Sequence, residues 1–139
     1  MNRRSYRDVV LAQLRVSPFS AVDVFDTEVK GSYQDRPRRY IVLFTFNEPA
    51  EVDRLTGPSV DHDVRFITRS VGRTPTEAMF AADHVGAQLL NRRLVMSGRN
   101  SRPVRHVSSD PIRRDPDVGD GLFFYDDEWS WFSTPGGTS

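Results

Sequence analysis

Asp63-Val64-Arg65-Phe66-Ile67-Thr68-Arg69-Ser70-Val71, followed at once by Gly72-Arg73-Thr74-Pro75-Thr76-Glu77, is the stretch that decides the fold. From Asp63 to Val71 the side chains alternate. Val64, Phe66, Thr68 and Ser70 point one way, while Asp63, Arg65, Ile67 and Arg69 point the other, the pattern of a strand with one wetter face. At Gly72 the period changes. Thr74 is suited to cap a helix, Pro75 fits its first position, and Glu77 completes a capping box. The helix is predicted to run to about Arg92 or Arg93, with Ala78, Met79, Ala82, Val85, Gly86, Leu89 and Leu90 as its buried stripe. Arg92 and Arg93 then stand at the negative end of its dipole.

Toward the N-terminus, Tyr40 to Phe46 is apolar on both faces and reads as a central strand covered on two sides. The connection from Asn47 to His62 is long and contains Pro49, Gly57 and Pro58. Glu48, Glu51, Asp53 and Arg54 keep it solvated, with Val52 and Leu55 its sizeable apolar residues, and connections of such length are often functional. Val22 to Asp26 is a short strand candidate, followed by a polar segment from Thr27 to Arg38. Residues 5 to 15 form a helix with Tyr6, Val9, Val10 and Leu14 on one face, Ser5 and Asp8 near its start, and Pro18 beyond its end.

Toward the C-terminus, Leu94 to Met96 reads as a strand, Ser97 to Asn100 as a turn, and Val104 to Ser108 as a strand with Val104 and His106 opposite Arg105 and Val107. Asp110 to Gly121 reads as a loop. Leu122 to Phe132 is a last extended segment, with a break expected at Asp126-Asp127-Glu128, and Thr134 to Ser139 is a flexible tail. The order of elements implies an α+β fold: one main helix and a short N-terminal helix packed on a mostly antiparallel β-sheet, in a single domain over 1–133.

The 139 residues are 37% hydrophobic and 27% charged, with formal net charge +0 and pI near 6.8. Bulk attraction to DNA or to an anionic membrane is therefore not expected. Lys30 is the only lysine, so the positive charge is nearly all arginine. Coding bias explains that, and selection for bidentate pairing at interfaces is the alternative. With no cysteine, disulfides, thiolate zinc sites and a cysteine nucleophile are excluded. No apolar run approaches the ~18 residues of a membrane span. The basic start, Met1 to Tyr6, leads into an amphipathic pattern rather than a signal-peptide core, so residence in the cytoplasm where the chain is made is expected.

Chemistry-bearing patterns are sparse. The histidines are His62, His84 and His106, none with a second histidine at metal spacing, and the triplet Asp61-His62-Asp63 is the one arrangement that could take a divalent ion. Neither a metal nor a cofactor is expected. His84 is expected at the surface and His106 half-buried. No nucleophile-elbow, P-loop or dinucleotide-binding pattern occurs, and adjacent carboxylates on a strand, Asp126, Asp127 and Glu128, point to opposite faces and cannot converge on one proton. They read as a solvated turn or as an acidic patch that pairs with arginines. The basic clusters Arg36-Pro37-Arg38-Arg39, Arg92-Arg93, Arg99/Arg102/Arg105 and Arg113-Arg114 suit either phosphates or the acidic loops of a neighbouring copy. Trp129 and Trp131 share a strand face with Phe123 and Tyr125, as core or as an anchor for a partner.

This pattern resembles the tail terminator proteins of long-tailed bacteriophages, particularly those of actinobacteria. The resembling pieces are the N-terminal helix with Asp8, Val9, Val10 and Leu14; the Tyr40–Phe46 strand; the run Arg69 to Ala78; the helix ending in Leu89-Leu90; Asp110 to Asp115; and Tyr125 to Trp131. The resemblance implies a non-enzymatic virion protein that forms a ring, a hexamer, on the head-proximal end of the tail tube, stops tube polymerisation and offers a surface to the head connector or stopper. Its partners would be copies of itself, the tail tube protein and the connector, with DNA only passing through the lumen and no membrane involved. Candidate contact residues are Arg36, Arg38, Arg39, Glu51, Val52, Leu55, Arg92, Arg93, Asp126, Asp127 and Glu128. Other neck components, such as a head-completion or stopper protein, and a small nucleic-acid-binding module are the alternative readings.

Overall fold

The computed structural model describes residues 3–15, 22–26, 37–47, 62–95, 99–115 and 121–135. In chain order the elements are α1 (Arg3–Arg15), β1 (Asp23–Asp26), β2 (Arg39–Asn47), β3 (His62–Gly72), α2 (Pro75–Leu89), β4 (Arg99–Ser101), β5 (Arg105–Ser109), β6 (Arg113–Asp115) and β7 (Leu122–Pro135). They form an α+β fold: two helices on one seven-stranded sheet of order β1-β2-β3-β7, with β4, β5 and β6 following one another along the far side of β7. Among the described strands only the β1–β2 pair is parallel.

The turn from β3 into α2 is built as its residues dictate. A Cβ on Gly72 would lie 2.2 Å from the Ala78 amide nitrogen, so only glycine lets the strand end press against the first helical turn. Thr74 accepts a hydrogen bond from the Glu77 amide at 3.2 Å, with Pro75 inside the start. The reciprocal half of the predicted capping box is not made: the Glu77 carboxylate pairs with Arg38 at 2.8 Å. The helix stops at Leu89, short of the predicted Arg92 or Arg93. Leu90 is already extended while its N–H still bonds Gly86, and Asn91 takes φ 58°, the left-handed conformation that closes helices.

The core lies between the helices and one sheet face. Val64 and Phe66 of β3 stand opposite Trp131 and Trp129 of β7, joined by Ile41 and Leu43 of β2 and Val24 of β1. Over them pack Tyr6, Val10, Leu11 and Leu14 of α1 and Ala81, Val85 and Leu89 of α2. Burying each large side chain contributes about 1.5–3 kcal/mol. The Trp129 indole donates to Thr68 Oγ1 at 3.0 Å, which satisfies two buried polar groups at once. On the opposite face Tyr40, Val42, Val71 and Leu122 form a second apolar cluster with Phe25 and Phe124, as the two-faced apolarity of the β2 sequence implies.

Several local expectations are corrected. The broad stripe predicted for α2 is split: Ala78, Ala81, Val85 and Leu89 are buried, but Met79 and Leu90 are about half exposed, at 51% and 49%. Residues 92–95 are not sheet-bonded; hydrogen bonds from Asn91 N–H to Val104 O and from Val104 N–H to Arg92 O hold them, leaving Leu94 buried and Val95 83% exposed. Arg99 and Asn100 belong to β4 rather than a turn, and the supposed loop from Asp110 contains β6. His106 is a little over one third exposed, on a strand exposed along its whole length. β7 runs unbroken through Asp126-Asp127-Glu128 to Pro135. The Asn47–His62 connection, apart from its end residues, and positions 136–139 of the tail fall outside the described residues.

Candidate functional site

The acidic trio is divided by the alternation of β7. Asp126 and Glu128 face away from the helices, and Asp127 faces toward them. Asp126 accepts two hydrogen bonds from Arg69, directly across the ladder, at 2.8 and 3.0 Å. That hydrogen bond is the main reason the Arg69 guanidinium is held above its ordinary pKa. Arg69 also stacks over Phe124 at 4.3 Å. Glu128 accepts from Arg65 at 3.3 Å, and Arg65 reaches Asp63 at 3.5 Å. Asp127 holds His106 at 3.0 Å on the opposite face. The acids thus meet basic side chains of their own chain.

The basic candidates sit at the two ends of α2. Arg38 pairs with Glu77, and Arg39 lies over the Phe80 ring at 4.1 Å near the helix start. Past the helix end, Arg92 donates to the Ala87 carbonyl at 3.3 Å and Arg93 is exposed. Arg36, Glu51, Val52 and Leu55 lie outside the described residues.

His62 is drawn inward. Its Nδ1 is 2.5 Å from the Tyr6 hydroxyl, beside buried Ser133, which in turn accepts from buried Arg99 at 2.6 Å. Asp63 points to the other face and accepts from Ser130. His62 and Asp63 therefore do not converge, and among the described residues no group of three or more potential ligands gathers for a metal ion. His84 is half-buried rather than a surface residue: its ring nitrogen contacts the Leu14 carbonyl at 3.0 Å and ties α2 to α1.

Among the described residues, a groove of about 380 Å³ lies between α2 and the β5–β7 side of the sheet. Met79, Ala82, Asp83, Gly86 and Leu90 form one wall; His106, Ser109, Tyr125, Asp127 and Trp129 form the other. The helical wall is the half of the predicted stripe that the core does not use. Its legible signal was a stripe too wide for one buried ridge. The His106–Asp127 contact had no sequence signal, because it joins residues 21 apart through strand pairing. His106 is held by Asp127, yet no hydrogen bond among the described residues carries the chain on to Ser109. The groove therefore offers apolar surface and a few polar groups. No described helix is long and apolar enough to cross a membrane.

No protein-family model matches the chain, and no curated protein matches it. Among solved structures it is similar to a chain in the virion of a native gene transfer agent particle, at 16% identity, covering 94% of this chain and 96% of that one with a TM-score of 0.72. At that identity the likeness establishes the fold, across nearly the full length of both chains.

Proposed function

We propose that this chain is a structural protein of a phage-like virion, and that within the virion it acts as the tail terminator. The observation that carries the reading is the near full-length fold likeness to a chain of a virion particle. The sequence resemblance to tail terminators points the same way independently of that likeness. In this reading copies of the chain form a ring of six on the head-proximal end of the tail tube, stop its growth and present a joining surface to the head connector, with DNA passing through the lumen unread. Ring contacts are heterologous, one patch meeting a different patch on the next copy. The exposed arginines at the ends of α2, with Arg36 and the segment bearing Glu51, Val52 and Leu55, are proposed to lie in them.

The test combines tail tube protein with and without the chain and follows tube length by electron microscopy. The expected result is capped tubes that stop growing and a ring-sized species in sedimentation. Tubes of unaltered length distribution, with binding to the head connector alone, would reassign the chain as a stopper. DNA binding that weakens steeply with salt would instead support a nucleic-acid module.

A further inference from the structure

We propose that the groove between α2 and the β5–β7 side of the sheet is a docking site for an arginine-bearing segment of a partner protein, a contact beyond the terminator reading and independent of it. The guanidinium is received by Asp83 and Asp127.

The helical wall is notched. Met79 and Leu90 stand about half exposed on the groove side of α2. Between them, a Cβ on Gly86 would meet nothing within 4 Å. A straight apolar stem therefore fits between two apolar side chains, with Ala82 also lining the wall. The sheet wall opposite carries half-buried Tyr125 and buried Trp129.

Charge decides what the stem ends in. The lining holds two carboxylates, Asp83 and Asp127, against His106 as its basic group, so it stays net negative even with His106 protonated. Asp83 is exposed and meets no cation among the described residues. Asp127 is buried, and its contact with His106 at 3.0 Å uses Oδ1. Its Oδ2 takes no hydrogen bond among the described residues. An anionic or purely apolar occupant would leave these oxygens desolvated and unpaired, whereas a cationic donor satisfies them.

The same recognition chemistry is complete on the other face of the sheet. There the Arg69 guanidinium lies 4.3 Å from the Phe124 ring centroid and donates twice to Asp126. One position further along β7, Tyr125 and Asp127, joined by Asp83, repeat the ring and the carboxylate inside the groove. A planar guanidinium can stack on a ring while it bonds two acceptors, which a lysine ammonium cannot do.

The experiment titrates the full, isotope-labelled chain with blocked peptides and follows its amide shifts by NMR, with far-UV circular dichroism verifying that each variant folds. The probes are acetyl-Gly-Leu-Arg-Leu-Gly-amide and the same peptide with citrulline, which keeps the shape and removes the charge. The arginine peptide is expected to shift the amides of Asp83, Gly86 and Asp127 saturably below about 10 mM, and citrulline to weaken binding about tenfold or more. Gly86→Leu, which fills the notch where a side chain has room, is expected to abolish binding. Asp83→Asn is expected to weaken it about threefold, since that carboxylate is exposed. Equal binding of both peptides, binding that survives Gly86→Leu, or no saturable shift in the folded chain would each overturn the assignment. Arginine amide alone binding as tightly as the peptide would make the ligand a small cation and overturn the docking of a protein segment. Self-association in sedimentation that Gly86→Leu and Asp83→Asn both weaken would support the seat and identify a second copy as the donor.

Discussion

The two faces of the β3–β7 pair are made from the same two strands in one register and solve different problems. Toward the helices, Val64 and Phe66 meet Trp131 and Trp129 in a buried layer. Away from the helices, Arg65 and Arg69 meet Glu128 and Asp126 in an ionic ladder that is partly solvated. Burial contributes in proportion to apolar area removed from water, whereas an ion pair at a wet face returns little beyond the solvation it gives up. The difference teaches that over this stretch stability resides mainly on the helix face, while the ionic ladder contributes register and solubility and gives way to the apolar cluster at Val71, Leu122 and Phe124.

The sharpest way to break that comparison is Trp131→Ala. Trp131 is fully buried and packs edge-on against Tyr6 at 5.3 Å, so a loss of about 3–5 kcal/mol is expected in urea denaturation. A loss under about 1 kcal/mol would mean that the helix face is not the main source of stability. On the ionic face, the coupling between Arg69 and Asp126, read from a double-mutant cycle, is expected at about 1 kcal/mol, because the pair is bidentate yet partly exposed. Gly86→Ala extends the comparison to the part of the helix face that nothing described covers. It should raise stability by up to about 1 kcal/mol of helix propensity, seen as a slightly higher melting temperature, because the added methyl meets nothing. Arg65→Ala is expected to cost the least, under about 0.5 kcal/mol, since its pairs are longer and more exposed, and 0.5 M salt should erase the difference.

Legibility followed the range of the interactions. β3, the Gly72 turn and the start of α2 were readable because alternation and capping act within a few residues. The helix end was misplaced because Asn91 carries no strong stop signal of its own and is fixed by a hydrogen bond to Val104. The β7 strand was expected to break at its acids because isolated adjacent carboxylates disfavour a strand; Arg69, His106 and Arg65, brought from elsewhere, offset that. The groove was half visible, as an α2 stripe too wide for one ridge, but which half faced the core depended on where β5 and β7 lay.

By itself the sequence determined the α+β class, the identity of the main helix and central strands, and the lack of cysteine chemistry. These follow from local periodicity and residue type. Only the tertiary structure decided that Met79, Gly86 and Leu90 line a groove, that His62 turns inward to Tyr6, and that β4, β5 and β6 run in succession along β7. Each of those depends on contacts between residues far apart in the chain, whose energy exists only once the sheet has assembled.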